Sequence, residues 1–138
     1  MAFNQDNYVS MYTIWELDDE LTDFEQLNLL LEKCISKTTE NEADTCVCYG
    51  FSYDENNEHL FCNDTYVNAR GVGLHMQNVS DFMSNFADFG ADMKSISFTG
   101  RKSELEKIKT MFEAMPGLLS IMKFNVLVGD SARNTKNI

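Results

Sequence analysis

TCVCYGFSYDENNEHLFCNDTY, residues 45–66, decides the fold. Two runs rich in aromatic and β-branched residues, about 45–54 and 58–66, flank the polar segment from Asp54 to Glu58. Strand, turn chemistry and strand in that order predict a β-hairpin. With Tyr53 opposite His59, Cys48 faces Asp64 and Cys46 faces Tyr66. A slip of one residue changes those partners, because side chains alternate between faces along a strand.

Upstream, residues 8–17 are aromatic and β-branched with little polar alternation, and predict a strand covered on both faces. Thr22 and Glu25 have capping-box spacing. Behind them Phe24, Leu27, Leu31, Cys34 and Ile35 recur at helical intervals, predicting a helix over about 22–38. Downstream, Asn68 can cap a helix running through His75, and Ser80 can start a second helical piece that ends at Gly90. Residues 92–99 alternate as a strand. Ser103 and Glu106 form a second capping box ahead of the stripe Leu105, Ile108, Met111, Phe112 and Met115, stopped by Pro116-Gly117. Residues 119–128 predict a last strand, and the polar tail 129–138 predicts disorder. The order is β-α-β-β-α-β with an added helix and strand, an α+β, ferredoxin-like pattern in one domain of 138 residues. Its helices cover one face of the sheet. The other face needs a cover that this chain does not supply, so a homodimer through the open sheet face is expected.

The net charge of −11 comes from 22 acidic and 11 basic residues. Phosphate backbones attract Lys/Arg clusters, so nucleic acid is excluded as the expected partner, and so is an anionic membrane surface. No apolar run reaches about 18 residues, so no membrane-spanning helix is expected. Residues 1–8 lack the basic and apolar regions of a signal peptide, and the cytoplasm is the expected compartment. Cys34, Cys46, Cys48 and Cys62 then read as free thiols.

Several motifs carry bland readings. Cys46, Cys48, Cys62 and His59 suggest zinc, but Cys46 and Cys48 on a strand stand about 7 Å apart, and zinc sites favour turn-borne spacings. No metal is expected. Gly71-Val72-Gly73 lacks the third glycine and the feeding strand of a dinucleotide site. Asn63 and Asn78 open glycosylation patterns that occur by chance in a chain without a secretory signal.

Residues 45–66, with the acidic Asp64, one spacer, the aromatic Tyr66 and then His75 nine positions later, resemble the antibiotic biosynthesis monooxygenase family of dimeric α+β barrels. The likeness extends over about residues 7–128, including Gly100 and the segment Ser103-Glu104-Leu105-Glu106-Lys107. It implies a cofactor-independent monooxygenase acting on a small aromatic hydroquinone, naphthol or polyketide-like substrate. Its base would be His75, with Tyr66 donating a hydrogen bond to the substrate oxygen and Asp64 orienting His75 or a water. Trp15 and Tyr49 would stack on the substrate ring. The family's usual tryptophan is Tyr66 here, and the first strand lacks the asparagine of the haem-degrading branch, so haem degradation is not expected. The same residues fit a second reading, a non-catalytic dimer that binds a small ligand or a partner. In it His75 is a satisfied histidine at a helix–sheet seam, Tyr66 and Trp15 are core aromatics, and Asp64 caps a strand end.

Overall fold

Alternation along the first strand, β1 (Val9–Leu17), sets the inner face of the sheet. Val9, Met11, Thr13, Trp15 and Leu17 are buried, whereas Ser10, Tyr12 and Ile14 are only half-buried and Glu16 is exposed. The computed structural model describes residues 7–129. β1 is followed by α1 (Phe24–Asn41), the hairpin β2 (Cys46–Tyr53) and β3 (His59–Tyr66), and α2 (Ala69–Val79). A 3-10 turn (Ser80–Phe82), α3 (Met83–Asp88), β4 (Ala91–Gly100), α4 (Lys102–Met111), α5 (Pro116–Leu119) and β5 (Met122–Val126) complete the order. The five strands form one sheet in the order β2-β3-β1-β4-β5. β5 runs parallel to β4, and the other pairs are antiparallel. The expected ferredoxin-like α+β pattern with its added helix and strand is therefore present. The expected polar tail lies outside the described residues, apart from Gly129.

Two patches of core lie side by side on the inner face. One joins Val9, Met11, Tyr66, Ile96 and Phe98 to α2 and α4. The other joins Trp15, Leu60 and Cys62 to α1 and to Phe86 of α3. Among the described residues the first strand is thus covered on one face, not on both. Residues 8–17 show little polar alternation because Tyr12 and Ile14 occupy the open face, where Tyr12 stacks on Phe61 at 5.8 Å.

Some local readings change. Tyr53 pairs with Leu60 and Tyr49 with Asp64, one residue away from the expected register, while Cys46 does face Tyr66. A bulge between Cys46 and Cys48 absorbs the difference. Its effect is to turn Tyr49, Phe51 and Tyr53 inward. The cap of α1 is Asp23, which accepts from Gln26 N–H, not Thr22. Thr22 instead packs against Gly90, whose φ of +91° closes the chain ahead of β4. A Cβ at Gly90 would stand 2.6 Å from Thr22 Cα. The second capping box does not form, because α4 starts at Lys102 behind Arg101 and Ser103 lies inside the helix; Glu104 turns to a neighbouring helix. Pro116 opens α5 at its first turn instead of ending α4.

Candidate functional site

β3 puts Cys62, Asp64 and Tyr66 on the inner face at a spacing of two, all buried. The Tyr66 hydroxyl donates a short hydrogen bond to Asp64 Oδ2, and the Cys62 thiol donates to Oδ1 at 3.7 Å. Burial pushes the Asp64 carboxyl up to about 6, while the Tyr66 hydroxyl, His75 and the Cys62 thiol hold it down in part. Burial and the adjacent carboxylate raise Tyr66 and Cys62 well above their ordinary values.

α2 delivers His75 to the same place. Its first turn is tied twice: Asn68 Oδ1 accepts from Gly71 N–H at 3.0 Å, and Glu104 Oε1 of α4 accepts from Ala69 N–H at 3.0 Å. Gly71 lets the helix approach the hairpin, since a Cβ there would lie 3.0 Å from Tyr66 Cβ and 3.2 Å from the Thr45 carbonyl oxygen. One turn later His75 is only 4 % exposed. Its Nδ1 lies 3.0 and 3.1 Å from the two carboxylate oxygens of Glu42. Glu42, 3 % exposed at the end of α1, also accepts from Asn78 Nδ2 at 2.7 Å. With Nδ1 hydrogen-bonded to a carboxylate, the imidazole is fixed in orientation and Nε2 is left as its second functional nitrogen.

These groups meet at the seam between the two core patches. A cavity of about 30 Å3 is lined there by Trp15, Tyr49, Asp64 and His75, together with Cys34 and Cys62. That is room for about a single water. Four of the chain's eight methionines, Met11, Met76, Met83 and Met93, complete much of the wall. Methionine is flexible and polarisable, so this wall can reshape around a guest. The Trp15 indole N–H is buried and has no hydrogen-bond partner among the described residues.

Of the five residues singled out in the sequence, four line the cavity, and Tyr66 joins them through its hydrogen bond to Asp64. Their contacts differ from the expected ones. Glu42, not Asp64, orients His75, and the Tyr66 hydroxyl is engaged by Asp64. Trp15 already stacks on Phe86 at 5.0 Å, and Tyr49 meets the His75 ring edge-on at 4.7 Å. Glu42 and Asn78 were missed. Glu42 sits in a polar stretch that reads as a loop, and Asn78 reads only as a chance glycosylation pattern, so no local signal marks either. The zinc candidates do not assemble: His59 groups with Asp54 and Glu58 at the exposed hairpin turn, and all four cysteines are free. No helix among the described residues is long and apolar enough to cross a membrane.

No protein-family model matches the sequence, and no curated protein matches it. Solved structures do. MupZ from Pseudomonas fluorescens superposes with a TM-score of 0.76 at 20 % identity, over 94 % of this chain and 97 % of MupZ. A conserved protein from Methanosarcina mazei Go1 gives 0.62 at 13 % identity, over 74 % and 100 %. A candidate antibiotic biosynthesis monooxygenase from Deinococcus radiodurans gives 0.54 at 19 % identity, over 65 % and 88 %. At these identities the likeness defines the fold: a ferredoxin-like α+β domain of the type found among antibiotic biosynthesis monooxygenase-like structures.

Proposed function

We propose that the chain is a cofactor-independent monooxygenase of a small aromatic phenol, with the seam cavity as its active site. The observation that supports this most is the pairing of two buried acid–base groups on one cavity. His75 is backed by Glu42, and Asp64 is raised towards neutrality. Groups whose environments set them apart divide the roles of base and acid. His75 takes the phenolic proton. The electron-rich phenolate passes an electron to oxygen, and the two radicals join at the para carbon as a peroxide. His75 returns the phenolic proton to the peroxide, then removes the proton on that carbon as the O–O bond breaks. Protonated Asp64 supplies the proton that turns the departing hydroxide into water, and His75 reprotonates Asp64. For 1-naphthol the balance is naphthol plus O2 to 1,4-naphthoquinone plus water. In this reading the Trp15 N–H, which has no partner among the described residues, donates to a substrate oxygen. Tyr66 keeps Asp64 in place.

The substrate must displace the methionine wall, because the cavity without a guest holds little more than a water. An oxygen electrode with a panel of naphthols and hydroquinones tests the reading. Saturable oxygen uptake with quinone formation is expected. Absence of uptake across the panel would leave the ligand-binding reading of the same cavity.

We also infer a homodimer through the open sheet face. The support is the Tyr12–Phe61 stack and Ile14 on a face that no helix among the described residues covers.

A further inference from the structure

A second hollow lies on the other side of α2. It is a groove of about 820 Å3 between α2 and the α4–α5 segment, with Leu74, Met111, Phe112 and Leu118 among its apolar walls. Gly73 forms part of it, with bare backbone facing Met111, whose Sδ would lie 3.1 Å from a Cβ there. Its volume is that of a small-molecule site, and its few polar groups match such a site. Arg70 is the one charged side chain lining it among the described residues. Met76 and Met83 line both this groove and the seam cavity. Two flexible thioether side chains therefore separate a large apolar groove from a small acid–base cavity. Behind them the Trp15 N–H has no partner among the described residues.

We propose that the groove is the outer half of the substrate site. It holds the apolar chain of an elongated substrate whose anionic end rests at Arg70, and Met76 and Met83 swing aside to admit the far end to His75 and Asp64. This rests on the seam cavity being the substrate site. Arg70 supplies the charge contact for a carboxylate. Each methylene buried along the groove adds about fourfold in affinity. The methionines adapt to whatever part of the chain crosses between the two spaces.

Trp15, the only tryptophan, reports on the inner cavity without any turnover. The full chain is titrated with 11-bromoundecanoate, whose terminal bromine quenches indole emission on contact. Saturable quenching is expected, with unbrominated undecanoate competing for the site and causing no quenching. Arg70→Ala should weaken undecanoate tenfold or more and leave 1-undecanol unchanged. Gly73→Leu should fill the groove and weaken both ligands. Leu118→Glu serves as a second blocking variant if Gly73→Leu does not fold. Met76→Phe should abolish quenching by 11-bromoundecanoate while calorimetry still detects weakened undecanoate binding. The proposal is overturned by no binding, by binding that neither blocking variant weakens, or by binding to the native chain without quenching. Groove variants that change only the sedimentation behaviour would point to a protein occupant and equally overturn it. Quenching without oxygen uptake on the phenol panel removes the proposed chemistry alone. Oxygen uptake without quenching removes the groove alone.

Discussion

Two buried carboxyl groups of different character lie near His75. Glu42 holds Nδ1, and Asp64 lies across the cavity with Tyr66 and Cys62 as donors. If His75 is the base, His75→Ala should lower kcat on a turned-over naphthol by about 10²–10⁴-fold, the usual range for general acid–base catalysis. Glu42→Gln should lower it by about 10–100-fold, the usual cost of losing a carboxylate behind a functional histidine. Steady-state kinetics with circular dichroism as a fold control checks both. Asp64 also leaves a mark on stability. An ordinary aspartate titrates near 3.9, and burial raises this one to about 6. Between those values the native state holds a proton that the unfolded state has lost. The contribution of Asp64 to stability therefore falls as pH rises from about 4 to about 6, by an amount on the order of 3 kcal/mol, and is level above that. Asp64→Asn should remove this decline, measured as the difference between wild-type and variant denaturation curves across pH 4–7.

At the scale of elements, the site depends on how closely α2 sits against the hairpin. Gly71→Ala should destabilise the fold by about 1–3 kcal/mol, because the methyl would press on the Tyr66 Cβ and the Thr45 carbonyl oxygen. Urea denaturation checks it. Glu104→Ala should cost about 1 kcal/mol by freeing the Ala69 N–H at the start of α2. The elements themselves were legible from the sequence. The hydrophobic period placed α1, Asn68 capped α2 as its chemistry suggests, and the turn segment closed the hairpin. Register was not legible, since the bulge at Cys46–Cys48 depends on packing Tyr49, Phe51 and Tyr53 against the inner core. Nor was the role of Glu104, because its partner is 35 residues away and spacing within one helix cannot show it.

Across the whole molecule, the proposed chemistry gathers where two core patches meet, and it draws on β1, β2, β3, α1 and α2. Asp64, Tyr66 and His75 stood out because they lie close together in the chain in a spacing that resembles a family pattern. Glu42 and Asn78 could not, because tertiary contact alone brings them there. The open sheet face belongs to this scale too. Sedimentation at micromolar concentration should give a dimer of about twice 15.8 kDa. Tyr12→Asp with Phe61→Asp should shift it to monomer, and a native chain that sediments as a monomer would contradict the expected pairing. The most direct test of the account is isotopic. Purified, chelator-treated protein is given 1-naphthol under 18O2, and the quinone and water are analysed. The account predicts one labelled oxygen in the quinone and the other in water, with a yield that collapses in His75→Ala. Label entering the quinone equally well with His75→Ala, or no label entering it from any phenol that binds the cavity, would contradict it.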